Sequence, residues 1–241
     1  MKHLRFLAAL CCMLAVFTAC EKNEPSDNGN GSNTGNYNAN GHEYVDLGLP
    51  SGTKWATCNV GATKPEEHGN EYAWGETEPK TTCDWSTYKY GSDYDELTKY
   101  CTDSDDGKDG FADYKTVLDP EDDAAHVNWG GAWRMPTDEE WTELRENCAW
   151  KWTDDYNGTG TVGQIVTGLN GNSIFLPAPP YHFSSGGVLV GCSTYGVYYW
   201  SSSLDADRPD GAWGVLFTSD CVYRDDFFRF DVCPVRPVLG E

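Results

Sequence analysis

The chain has 241 residues, a formal charge of −21 at neutral pH, 14% aromatic residues and ten tryptophans. A surface this acidic repels phosphate backbones and anionic headgroups, which excludes DNA and RNA as partners. So many large rings predict a loop-rich body with an aromatic core and some rings left at the surface.

The first nineteen residues carry the pattern of an export signal. Lys2 and Arg5 give a basic start, Leu7 to Phe17 an apolar run too short to span a bilayer comfortably, and Thr18-Ala19 the small residues before a cleavage point. Because Cys20 follows directly, segment 1–19 resembles a lipoprotein signal peptide, after whose removal Cys20 would be acylated. An ordinary secretion signal is the alternative, but it wants a small residue where Phe17 stands. Acylation would anchor an outer-membrane lipoprotein, facing the cell surface or the periplasm, with the membrane a partner through the lipid alone.

Residues 21–40 hold one aromatic, Tyr37, and no Leu, Ile, Val, Phe or Met. Such a stretch buries too little apolar surface to offset its ordering entropy. Segment 20–40 is therefore expected to be an acylated cysteine plus a disordered tether reaching roughly 25 Å. Segment 41–241 is then long enough for a single domain with a real core.

Along that domain, Glu43–Leu47 and Thr53–Cys58 read as a hairpin around the turn residues Gly48 to Gly52. Residues 64–113 are polar, Tyr-rich and Gly-punctuated, a long excursion with one helical turn near 95–100. Asp119-Pro120 starts a short helix running to about Val127, with Asp119 as cap and acids in the first turn. Thr137 and Glu140 form a capping box, and Trp141, Leu144 and Cys148 fall on one stripe of the helix that follows. Strands are expected at 164–167, 173–176, 198–202, 213–217, 227–231 and 235–238. Helices in the first half and strands in the second make the class α+β.

Seven cysteines follow the tether. In an exported chain Cys58, Cys83, Cys101, Cys148, Cys221 and Cys233 are disulfide candidates, with Cys192 making the count odd. Cys83 and Cys101 would close the shortest loop. No CxxC or closely spaced His pair occurs, which disfavours zinc.

Several longer motifs carry a family resemblance. The stretch from Tyr44 to Ala62, Trp74-Gly75-Glu76, Trp133-Arg134-Met135-Pro136-Thr137, Asn170 to Ala178, Tyr199 to Ser203 and Val235 to Val238 are its marks. Together they resemble the Fibrobacter succinogenes major paralogous domain family. The resemblance implies a C-type-lectin-like architecture shared with formylglycine-generating enzymes, and an exported lipoprotein of largely uncharacterised activity. A fold likeness of this kind does not itself assign a function.

Three sites are then in view. Rings at Tyr195, Tyr198, Tyr199 and Trp213 could stack on a sugar, competing with a role in core and hairpin packing. The tripeptides that calcium-dependent lectins use for calcium and hydroxyl ligation are absent. Asp103, Asp105, Asp106 and Asp109 concentrate carboxylates that could hold calcium, although an EF-hand would need acids where Gly107 and Thr116 stand. A solvated acidic loop is the alternative. Cys221 and Cys233 lie near the end of the domain, as a formylglycine-generating cysteine pair would, but twelve residues apart. Arg134 is expected to pair with a buried acid and Glu140 to cap its helix. The reading is a non-catalytic binding or adhesion module with no obligatory cofactor and a glycan as favoured ligand. A protein partner in a surface assembly and a formylglycine-generating oxidase are the alternatives.

Overall fold

The first strand lies inside the stretch expected to be tether. In the computed structural model, residues 36–178, 182–183, 189–190 and 196–239 are described. The signal segment, Cys20 and residues 21–35 lie outside them. Strand β1 (Asn36–Ala39) pairs antiparallel with β2 (His42–Asp46) across a two-residue turn in which Asn40 and Gly41 have φ of 48° and 84°. Asn-Gly is the pair that such a tight hairpin favours, because both positions need the left-handed region. The Trp133 indole donates to the Ala39 carbonyl at 2.9 Å, the Asn40 amide donates to the Trp129 carbonyl, and the His42 ring lies flat on Trp129 at 3.7 Å. The folded body therefore includes residues 36–40, which composition assigns to the tether. Backbone pairing and one ring, Tyr37 stacked on Tyr44, supply what the missing aliphatics would have.

The expected hairpin follows: β2 pairs with β3 (Lys54–Ala56), and Lys54 reaches Asp46 across it at 2.6 Å. Strand β3 is bordered by the last strand of the chain, β15 (Val238–Leu239), which also pairs with β5 (Trp133–Arg134). The two ends of the domain thus close in one antiparallel sheet, ordered β1-β2-β3-β15-β5. Between them, β4 (Glu71–Ala73) pairs with β14 (Val232–Pro234). A meander of β6 (Ala149–Thr153), β7 (Val162–Thr167) and β8 (Ser173–Ala178) comes next. Short β9 (His182–Phe183) and β10 (Leu189–Val190) pair with each other. A second meander holds β11 (Val197–Leu204), β12 (Gly211–Phe217) and β13 (Val222–Phe228).

Helix α1 (Ala124–Trp129) starts later than the sequence suggests. Asp119-Pro120 opens only a single tight turn over Pro120–Asp122, and Asp123 is the cap, accepting from the His126 amide at 2.9 Å. Asp123 also accepts from the Met135 amide at 2.8 Å, so the cap is fixed by the strand beside it. Helix α2 (Asp138–Asn147) has the expected capping box, with Thr137 and Glu140 exchanging both hydrogen bonds. Trp141 and Leu144 are buried, whereas Cys148 is half-buried at the C-cap. No helix forms at 95–100, where Gly91 and Leu97 make an isolated bridge within turns. The expected strand at 227–231 ends at Phe228, and the one at 235–238 splits, in both cases beside an arginine that turns inward.

Those arginines join the two halves of the core. Arg229 and Arg236 are fully buried. Arg236 donates to Asn59 Oδ1 and to the carbonyls of Ala56, Thr57 and Phe175, all within 2.8–3.0 Å. Arg229 donates to the Tyr88 hydroxyl and to the carbonyls of Tyr100, Pro209 and Lys99. A buried guanidinium is tolerated when its fork of donors is saturated, and backbone oxygens do that here. One apolar cluster gathers around Trp74, Trp133, Trp200 and Tyr100. The other gathers around Trp55, Trp141, Leu176 and Phe217. The class is α+β, with two helices and antiparallel sheets among the described residues. No helix among them is long and apolar enough to cross a membrane.

Candidate functional site

The described members of the aromatic quartet, Tyr198, Tyr199 and Trp213, do not form a platform. Tyr199 is fully buried on β11, where its hydroxyl donates to the Pro177 carbonyl at 3.1 Å and accepts from Asn59 at 3.0 Å. Burial pushes that phenol up to about 12, so it is a neutral core group. Tyr198 is half-buried, meeting Phe227 edge-on at 3.9 Å. Trp213, on β12, is half-buried and covered by the Arg224 guanidinium 3.2 Å from its ring centre. Tyr195 lies outside the described residues. Since β-strand neighbours point to opposite faces, Tyr198 and Tyr199 cannot share one surface.

The acidic loop is also not a cation cage. Among the described residues, no group of three or more His, Cys, Asp or Glu side chains is placed to hold a metal ion. Asp103 is turned to the Asp105 amide, Asp109 sits at φ 54° in a tight turn, and Asp105 is exposed. Burial, then the charges of Asp103, Asp210, Asp105 and Asp95, raise the Asp106 carboxyl. The ordering acid is Asp113, which takes the amides of Tyr100, Cys101 and Lys115 at 2.9–3.2 Å. Gly107 lets the loop close, since a Cβ there would lie 1.7 Å from the Phe111 carbonyl oxygen.

The cysteines correct a further expectation. Cys58, Cys101, Cys148, Cys221 and Cys233 are free thiols, and the Cys83–Cys101 pairing does not occur. Cys101 is buried and donates to the Asp103 carbonyl at 2.9 Å. Cys83 is disulfide-bonded. Burial, then Asp231 and Glu71, push the Cys233 thiol well up, and burial raises Cys148 to about 11. Neither thiol is a ready nucleophile at neutral pH. Cys221 and Cys233 sit apart, one in the β12–β13 turn and one on β14. Arg134 does pair with an acid, and that acid is Glu140, bound through both terminal nitrogens at 2.6 and 2.7 Å. One carboxylate thus serves the capping box and the ion pair.

What the structure assembles instead is a row of rings at the end of β13. Phe228 and Phe230 are parallel within 10°, with centres 5.2 Å apart, and Trp85 meets Phe230 at 4.9 Å. Arg208 lies 5.0 Å over Phe228 and is held by Asp226 at 2.7 Å and Asp210 at 3.2 Å. Phe228 is 43% exposed, while Phe230 and Trp85 are half-buried. The frame beneath is rigid: Arg229, between the two phenylalanines, is buried and fully bonded. Trp85 sits on a turn whose cap, Asp84, accepts from the Ser86 amide at 2.7 Å. Tyr88 backs the row, edge-on to Trp85 at 5.6 Å. From sequence, Phe228 and Phe230 are expected in a strand at 227–231 and Trp85 in the long polar excursion of 64–113; the strand ends at Phe228, and Arg229 and Phe230 lie in the turn after it.

A second feature lies between α2 and the β12–β13 hairpin. Asp138, Trp141, Thr142 and Arg145 from the helix face Gly214, Val215 and Arg224 across a shallow crease with no room for a water molecule. Arg224 Nε donates to both oxygens of Asp138, at 2.9 and 2.7 Å. No family model, curated protein or solved structure matches this chain.

Proposed function

We propose that this chain is a non-catalytic binding module of a cell-envelope lipoprotein. In this reading a C-type-lectin-like domain, similar to the Fibrobacter succinogenes major paralogous domain, hangs from an acylated Cys20 and takes a glycan as ligand. The observation that carries it is the row Trp85–Phe230–Phe228, half-buried at Trp85 and Phe230 and exposed at Phe228, and edged by Arg208, Asp210 and Asp226. A pyranose offers an apolar C–H face ringed by hydroxyls. Flat rings beside charged hydrogen-bonding groups match that combination.

The chemistry of the thiols supports binding rather than turnover. Burial raises Cys58, Cys101, Cys148 and Cys233, and a nucleophile or metal ligand needs the thiolate. The test is affinity electrophoresis of the lipid-free chain in gels containing neutral or acidic polysaccharides. At least one polysaccharide should retard the wild type, and Trp85→Ala and Phe228→Ala should relieve the retardation. Uniform migration through the whole panel, or retardation untouched by both changes, contradicts the reading.

A further inference from the structure

We infer that the saccharide taken at the Trp85–Phe230–Phe228 row is uncharged: a neutral polysaccharide, not a uronic-acid or sulfated one. The inference rests on the glycan reading above and concerns the same edge. An anionic sugar needs a free cation where it lands, because a carboxylate or sulfate is costly to strip of water without one.

The cation seated on the exposed ring is Arg208, and it is already spent. Its guanidinium lies 5.0 Å from the centre of Phe228, with Nε 3.2 Å from an oxygen of Asp210 and Nη1 2.7 Å from an oxygen of Asp226. Two carboxylates against one guanidinium leave that end of the row net negative. Arg229, next to Phe228 in sequence, is fully buried and donates inward to Tyr88 and three backbone carbonyls. At the other end, Lys80 lies 6.0 Å from the centre of Tyr88, the ring that backs Trp85. Its ammonium is held by Glu76 at 2.9 Å and by the Thr87 carbonyl at 2.6 Å. Beside Trp85 stands the exposed Asp84, whose hydrogen bonds with Ser86 hold its carboxyl below the usual range. Among the described residues, the exposed cations outside any ion pair are Lys64, in the loop before β4, and Lys151, on β6. Neither belongs to a segment that carries the rings. At physiological salt a charge acts over about 8 Å, so Arg208 and the acids around it set the potential that a ligand meets at the rings.

A neutral sugar asks for something else. Its hydroxyls both donate and accept, and a guanidinium paired with two carboxylates offers both functions side by side. Its C–H face needs only apolar surface, which Phe228, 43% exposed, supplies. Hydroxyls also lose less than ions do on leaving water, so an open edge suits the one and not the other.

The test is affinity electrophoresis of the lipid-free chain in gels of matched polymers, each at low and high salt. The pairs are hydroxyethyl cellulose and carboxymethyl cellulose, methyl-esterified pectin and polygalacturonate, and dextran and dextran sulfate, alongside neutral mannan, xylan and galactan. Retardation that Phe228→Ala relieves should come from neutral polymers, with a charged counterpart bound at least about tenfold more weakly. The preference should persist at high salt, where repulsion by the global charge of −21 is screened. Asp210→Asn, which releases the Nε arm of Arg208 and removes one charge, should narrow the preference. Asp226→Asn should do the same through the Nη1 arm, and it decides the matter where the first variant melts early. Ring-dependent retardation by a charged polymer as strong as by its neutral counterpart, a preference that vanishes at high salt, or one unmoved by both substitutions would overturn the inference and leave the glycan reading standing. No ring-dependent retardation by any polymer would overturn both.

Discussion

Asp122, buried, and Asp231, half-buried, are two carboxylates with opposite consequences. Asp122 is 2% exposed and accepts from the hydroxyls of Tyr90 and Tyr100 and the ammonium groups of Lys89 and Lys99. Burial alone would raise its pKa, but hydrogen bonds from Lys99, Tyr90, Tyr100 and Lys89 together hold it at about 2. A depressed carboxyl adds stability that is complete above its unfolded value near 3.8 and is lost as pH falls toward 2. Asp122→Asn leaves buried donors unmatched and should cost about 3–5 kcal/mol in urea unfolding at pH 7, with a smaller gap at pH 2.5. Burial raises Asp231 to about 7, so the unfolded chain gives up that proton first. Its contribution is full below about pH 4 and fades as pH rises through 7. Asp231→Asn should therefore flatten the fall in stability between pH 4 and 7, and an unchanged slope would count against this assignment.

At the scale of elements, β1 is the part whose role departs most from its composition. Its hairpin with β2 covers the Trp129–Trp133 corner, and the one aliphatic side chain it donates to the core is Ala39. Deleting residues up to 40 should lower the melting temperature of the domain below that of a chain deleted up to 35, because the Trp133 indole and the Trp129 carbonyl lose their partners. Equal melting of the two truncations would show that β1 is not part of the body. The same contrast explains what the sequence reveals. The β2–β3 hairpin and the α2 capping box were legible because their determinants lie within a few residues of each other. The β1 hairpin carried its Asn-Gly signal too, but inside a polar stretch that composition assigns to coil. Strand β4 is three residues long, too short to show alternation, and its partner β14 lies far along the chain. Strand β6 does alternate, with Trp150 and Trp152 more buried than Ala149 and Lys151.

For the whole molecule, long-range closure hides the site. The rings at Phe228, Phe230 and Trp85 come from segments more than 140 residues apart, and no local pattern could join them. Phe-Arg-Phe reads as a buried-ring strand unless one knows that Arg229 is saturated from inside by Tyr88, Tyr100, Pro209 and Lys99. The rings chosen from sequence, Tyr199 above all, lie where the two meanders and α2 close the core. The acidic surface likewise reads as a cation loop only until the backbone amides that occupy its carboxylates are known. On the proposed reading, the rings at Phe228, Phe230 and Trp85 form the edge that binds. The direct measurement is retention of the lipid-free chain on a polysaccharide panel, comparing wild type with Phe228→Ala and Trp85→Ala. The account predicts retention on at least one polysaccharide, lost in both variants while their melting temperatures stay near wild type. Retention by no polysaccharide, or retention that survives removal of both rings, would contradict it.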